Sequence, residues 1–189
     1  SVPNMGADET RRAIEAARVA QQQWRQRTAK ERAQVLRKWF ELMMQHQEDL
    51  ARIMTAEQGK PLTEARGEIA YAASFLEWFG EEAKRVYGDV IPGHQADKRI
   101  LVQKEPVGVT AAITPWNFPM SMPAWMVLPA LAAGNTVVFK PSEETPLCGQ
   151  AYADVLNEVL PEDVLIVVHG ADDQGKAIVQ SEGDMIAFT

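Results

Sequence analysis

The sequence predicts an α/β fold, a parallel sheet with covering helices preceded by a helical segment. Three observations carry this. Apolar residues recur at helical spacing over residues 8–88. A turn-rich stretch at 89–106 holds one strand-like run. From Val107 onward, short apolar runs at 109–113, 136–139, 164–168 and 185–188 alternate with helical stretches at about 120–133, 146–159 and 172–181. Strand, helix, strand at this spacing is the pattern of a parallel sheet whose faces are covered by helices. The chain accordingly divides into 1–88, 89–106 and 107–189.

The elements follow in order. Thr28-Ala29-Lys30-Glu31 fits a capping box, a hydroxyl and a carboxylate three apart that close the first free amides of a helix. After it Val35, Leu36, Phe40, Met43 and Met44 recur as a buried stripe. Gly59-Lys60-Pro61 breaks the helical region, because proline cannot continue it. A further helix runs from about Thr63 to Tyr87, with Ile69, Ala73, Leu76 and Phe79 on one face. These aromatics and methionines read as core. Ile91-Pro92-Gly93-His94 is a turn signal, Arg99 to Lys104 is strand-like, and Pro106 ends it. Ala130 to Asn135 reads as a helix closed by a glycine cap just before a strand.

Composition excludes several classes. The 189 residues are 46% hydrophobic and 24% charged, with a net charge of −7. A nucleic-acid binder needs clustered Lys and Arg, and here they are scattered among acidic residues. No apolar run approaches the roughly 20 residues that span a bilayer. No secretory-type segment opens the chain. Cys148 is the single cysteine, so there is no internal disulfide and no multi-cysteine metal site. No metal is expected, and a cytoplasmic location is.

The chemistry concentrates in Thr114-Pro115-Trp116-Asn117-Phe118-Pro119 and Lys140-Pro141-Ser142-Glu143-Glu144-Thr145-Pro146, each fed directly by an apolar run. Polar groups just past the ends of buried strands are where open α/β sheets bind ligands. The Asn117 amide can donate to a developing oxyanion, or can satisfy a turn backbone. Glu143 can accept from ribose hydroxyls and repel a 2′-phosphate, with Lys140 donating to the same ribose. The alternative is a solvated turn before a helix. Gly170 and Gly175 lie between a strand and a helix, where close backbone approach to a pyrophosphate is possible. Asp172-Asp173 would oppose that anion, and Asp172 reads as a cap. Cys148 reads as a buried spacer rather than a nucleophile, since no base is placed near it. His169 reads as structural.

The paired motifs, with Glu105-Pro106-Val107-Gly108-Val109 and Pro129 to Asn135, make the chain similar to the aldehyde dehydrogenase superfamily, in its N-terminal, cofactor-binding portion. The front half, Gln58 to Ile69 and Tyr87 to Phe118, most resembles bacterial succinate-semialdehyde dehydrogenases. The resemblance covers almost the whole chain. It implies a Rossmann-like sheet, an oligomerisation hairpin at 89–106, and a partial domain. It assigns Asn117 to the oxyanion hole, and Ile113, Thr114, Pro115 and Trp116 to the wall beside the nicotinamide. Lys140 and Glu143 match adenosine-ribose contacts, with Ser142 in the same site. Gly170 and Gly175 fall near the pyrophosphate. It further implies an aldehyde substrate, a homo-oligomer (dimer or tetramer), and NAD preferred over NADP, because NADP-using semialdehyde enzymes carry a small residue where Glu143 stands.

Two departures qualify the resemblance. The family's catalytic cysteine and general-base glutamate lie downstream of a Phe-Thr-Gly-Ser motif, and this sequence ends at Phe188-Thr189. The expectation is a cofactor-binding fragment, inactive by itself, with exposed apolar surface where the sheet lacks cover. The alternative is a non-catalytic fragment that binds nucleotide or packs on a partner. Semialdehyde enzymes also place Thr-Arg-Lys where this chain has Ala124-Trp125-Met126. A cation able to pair with a substrate carboxylate is replaced by an aromatic, which puts Trp125 in the substrate pocket and favours a less anionic aldehyde, whereas the front half favours a semialdehyde, succinate semialdehyde among the candidates.

Overall fold

The computed structural model describes residues 1–189. Four α-helices come first: α1 (Ala7–Trp24), α2 (Ala29–Gln45), α3 (Gln47–Gln58) and α4 (Leu62–Glu82), followed by a 3-10 turn at Ala83–Arg85. The capping box forms at the start of α2. The Glu31 amide donates to the Thr28 hydroxyl at 3.2 Å, and the Thr28 amide donates to the Glu31 carboxylate at 2.8 Å. Helix α2 buries Ala33, Leu36, Trp39 and Met43, whereas Met44, expected in the stripe, is exposed. At 3.6 residues per turn the line through Leu36 and Met43 includes Trp39 and leaves Val35 and Met44 on the flanks. Helix α3 stops at Gly59, whose φ of +84° is the left-handed conformation that terminates helices. In α4, Ile69, Ala73 and Leu76 are fully buried and Phe79 half-buried.

Strands β1 (Asp89–Pro92) and β2 (Arg99–Val102) form an antiparallel hairpin pairing Asp89 with Val102 and Pro92 with Arg99. Ile91 and Pro92, expected in the turn, belong to β1. Proline fits there because it is the last strand residue, where a missing donor costs the ladder least. Both strands are exposed along their whole length.

The remaining strands, β3 (Val109–Ile113), β4 (Thr136–Lys140), β5 (Leu165–Val167) and β6 (Met185–Phe188), form one parallel sheet in the order β5-β4-β3-β6. Helices α5 (Ser121–Ala132), α6 (Pro146–Asn157) and α7 (Asp172–Val179) connect them. Every residue of β3 and β4 is buried, which is why these strands read as unbroken apolar runs. The glycine cap of α5 is a Schellman motif. Gly134, at φ +90°, donates to Leu131, and Asn135 donates to Ala130.

Side chains alternate across the sheet. Ala112, Val137 and Phe139 pack on one face into a core of 31 residues that includes Trp24, Trp39, Met54, Leu76, Leu128 and Tyr152. Val109 and Val138 meet Ile14 and Ala17 of α1 on the other face, and Ala111 and Ile113 meet Ile178 of α7. Each large side chain fully buried here stabilises the fold by about 1.5–3 kcal/mol. Strand β6 is an edge strand, and Met185, Ile186 and Phe188 are exposed. Apolar surface is therefore open at this edge.

Candidate functional site

The chain turns from β3 into α5 and on to β4 and β5 on one side, while β6 lies on the other side of β3. This switch in strand order opens a crevice at the carboxyl ends of the strands. A cleft of about 500 Å³ lies there, lined by residues that include Ile113, Thr114, Pro115, Lys140, Ser142, Glu143, Gly175 and Phe188. Seven of the residues expected to hold a cofactor thus meet in one place, although they come from three separate segments.

Lys140 is the last residue of β4, and its side chain is buried. Its Nζ donates to the Pro141 carbonyl at 3.2 Å and lies 3.3 Å from Glu143 Oε2. Glu143 is half exposed. Its own backbone N–H, and then the Lys140 charge, hold its carboxyl below the usual carboxylate range against the opposing effect of partial burial. The cleft therefore presents an ionised acceptor beside a fixed ammonium donor. Val179 and Phe188 add exposed apolar surface.

The two glycines differ. A Cβ at Gly175 would meet nothing within 4 Å, so packing inside the chain does not require glycine there. A Cβ at Gly170 would collide with the Gln174 side chain, and the Gly170 φ is +151°. Gln174 is fixed in turn by a hydrogen bond to the Met5 carbonyl. Gly170 lies in a smaller neighbouring cleft with Ser142, Glu143 and His169. Asp172, read as a cap, is instead the first residue of α7, and Ala171 holds the cap position without a side-chain bond.

Trp116 and Asn117 stand outside the cleft, on the exposed loop between β3 and α5. The Asn117 side chain makes no hydrogen bond to the turn, so the reading of it as a turn-satisfying residue does not hold in this structure. The loop backbone is held from below instead. Gln58 Nε2 donates to the Trp116 carbonyl at 3.2 Å and the Asn117 carbonyl at 2.9 Å, and Lys60 Nζ donates to the Asn117 carbonyl at 3.1 Å. Lys60 also pairs with the buried Glu68 and sits 4.4 Å from the Phe118 ring centroid. The Glu68 carboxylate accepts from the Met120 and Ser121 amides at 3.0 and 3.2 Å, closing the N-terminus of α5. These roles were not foreseen. The available signal was Glu68 itself, a carboxylate at the buried-face spacing of Ala65, Ile69 and Ala72.

Trp125 projects from α5 and is 53% exposed. It meets Phe75 edge-on at 6.0 Å, and Phe75 meets Tyr71 at 4.8 Å, making an aromatic row beyond the Asn117 loop. Cys148 is fully buried near the start of α6, where Glu57 accepts from the Leu147 and Cys148 amides at 2.8 and 2.7 Å. Burial and the Glu57 carboxylate push its thiol far above the usual range, which suits a spacer and not a nucleophile. His169 is also buried. Its Nε2 lies 2.7 Å from Gln150 Oε1, and burial lowers its pKa. Both residues are buried, at 0% and 3% exposure.

The fold is an open parallel α/β sheet with a cleft at the carboxyl ends of its strands. The profile of the aldehyde dehydrogenase family matches residues 1–189, and the chain belongs to that family. It is 64% identical over 172 residues to a glutarate-semialdehyde dehydrogenase of Pseudomonas aeruginosa, and 63% identical over 172 residues to the NADP(+) succinate-semialdehyde dehydrogenase GabD of Escherichia coli. Each alignment covers 90% of this chain and 36% of the relative. The crystal structure of succinate-semialdehyde dehydrogenase from Burkholderia pseudomallei superposes with a TM-score of 0.97 at 55% identity, over 100% of this chain and 40% of that one. The chain thus spans little more than a third of the curated relatives it matches. No helix is long and apolar enough to cross a membrane.

Proposed function

We propose that this chain is the cofactor-binding part of an enzyme that oxidises an aldehyde to a carboxylic acid with NAD(P), NAD being preferred. The observation that carries the reading is the cleft at the carboxyl ends of β3, β4 and β6, which joins Lys140, Glu143 and Gly175. These residues fit a dinucleotide. The Glu143 carboxylate accepts from ribose hydroxyls, Lys140 donates to them, and Gly175 leaves room for close approach to the α7 backbone. An ionised Glu143 also repels a 2′-phosphate, which favours NAD. The Escherichia coli relative carries NADP(+) in its name, which favours the other cofactor, so the NAD preference rests on Glu143 alone. Ser142 completes this wall, and Ile113, Thr114, Pro115 and Trp116 lead from it towards the reacting centre. Gly170 acts on the phosphate side only through the backbone turn it permits.

Nicotinamide, when bound, supplies a hydride acceptor. The Asn117 amide has free donors on an exposed loop and stabilises the negative charge that develops on the aldehyde oxygen. Cys148 takes no part. Trp125 gives the substrate side an aromatic wall, which suits an aldehyde less anionic than succinate semialdehyde; the semialdehyde names of the relatives favour the more anionic choice. The exposed β1–β2 hairpin suits a role in homo-oligomer formation, as dimer or tetramer, and the divisions 1–88, 89–106 and 107–189 follow these roles. A single cysteine fits a reducing, cytoplasmic location.

The test is a turnover assay of the intact enzyme carrying this chain, with semialdehydes and uncharged aldehydes and with each cofactor. Asn117→Ala is expected to lower kcat by about 10²–10³-fold with cofactor KM little changed. Unchanged kcat in that variant would remove Asn117 from the chemistry.

A further inference from the structure

Asn117 is useful to an oxyanion only if its amide stays in place, yet its side chain is exposed and bonded to nothing. What fixes the loop lies beneath it. Lys60 is the residue on which the support converges: it reaches the Asn117 carbonyl, the Glu68 carboxylate and the Phe118 ring. Glu68, in turn, holds the amides of Met120 and Ser121. One ion pair therefore ties both ends of the segment Asn117–Ser121 to α4 and to the loop before it. Gln58 adds a second tie, to the Trp116 and Asn117 carbonyls, through one amide nitrogen.

We propose that Lys60, through its contacts with the Asn117 carbonyl and Glu68, is the positioning residue that holds the Asn117 amide where a reacting aldehyde oxygen meets it. This rests on the assignment of Asn117 to oxyanion stabilisation. The Lys60 side chain is 12% exposed and that of Glu68 3%, so water competes little for the pair. The cofactor cleft shares none of these three side chains.

The experiment pairs hydrogen exchange with kinetics. Lys60→Met, Lys60→Arg and the double variant K60M/E68Q are made in the intact enzyme. The double variant leaves no unpaired buried charge while still offering an acceptor to Met120 and Ser121, so it separates loss of the tie from loss of fold. Expected for both methionine variants is exchange at least about tenfold faster over residues 117–121, with α2 and α6 unchanged. Expected kinetics are a kcat lowered by up to about 10²-fold, the cost typical of a misplaced catalytic group, with nucleotide KM within about twofold. Lys60→Arg is expected to recover most of both. Wild-type exchange over 117–121 in the double variant, or faster exchange spread evenly over the whole chain, would overturn the proposal. Asn117→Ala, measured alongside, judges the oxyanion assignment separately, because the exchange result does not depend on it.

Discussion

Lys140 and Glu143 form an ion pair of unequal members, Nζ 3.3 Å from Oε2, in which the lysine side chain is 6% exposed and the glutamate 49%. The lysine is fixed by strand β4 and the Pro141 carbonyl, whereas the glutamate leans into the cleft with one face free. A half-exposed pair adds little to stability. Its value is in presenting a donor and an acceptor together. Glu143→Ser is expected to improve NADP+ affinity by about tenfold and weaken NAD+ affinity by a few-fold, read by calorimetry. Unchanged selectivity would remove Glu143 as the discriminator.

Glu57 closes α6 from a position 90 residues earlier in the chain than Leu147. Two charge-assisted bonds to helix amides are lost in Glu57→Ala. The expected cost is about 2 kcal/mol, measured by urea unfolding. Glu57→Gln retains an acceptor and should lose less. Equal stability of all three proteins would show that Thr145 or water serves the helix end as well.

Cys148 should be inert to a thiol reagent in the folded protein and react fully once the chain is unfolded. Its burial inside α6 and its raised pKa both withhold the thiolate. Rapid modification at neutral pH without unfolding would contradict the packing around it.

Glu48 supplies a pH test. Arg66 bonds it at 2.7 and 3.1 Å and Arg52 at 2.9 Å, and these bonds, Arg66 first, bring its carboxyl down to about 2. Because the folded value is depressed, its contribution is complete above the unfolded value of about 4.3 and is lost as pH falls towards 2. A carboxyl-carbon NMR titration should find this midpoint, and Arg66→Met should move it upwards.

Trp125→Arg restores a cation where the semialdehyde enzymes carry one. Relative kcat/KM should shift towards succinate semialdehyde over an uncharged aldehyde by about tenfold in the intact enzyme. No shift would place the selectivity elsewhere than the Tyr71-Phe75-Trp125 row.

Much of this was legible from local sequence. The strands at 109–113 and 136–139 declared themselves because buried parallel strands are apolar without interruption, and Thr28 and Glu31 because a capping box is closed by neighbours. That Lys140, Glu143 and Gly175 lie at strand ends suited to a nucleotide was legible from the residues, and the family resemblance sharpened it to specific contacts. Glu57, Gln58, Lys60 and Glu68 were not assigned roles, since polar and charged side chains usually face solvent and, apart from the Lys60–Glu68 pair, their partners lie more than fifty residues away. Met44 was misplaced because apolar character alone cannot choose between neighbouring positions on the edge of a helix face.

We propose the cleft bounded by Lys140 and Glu143 as an NAD site. The most direct test is calorimetric titration of the folded chain with NAD+ and then NADP+. Saturable one-site binding with NAD+ tighter by about tenfold, or about 1.4 kcal/mol, is the predicted result. Equal or tighter binding of NADP+, or no binding of either to a chain shown to be folded, would contradict it.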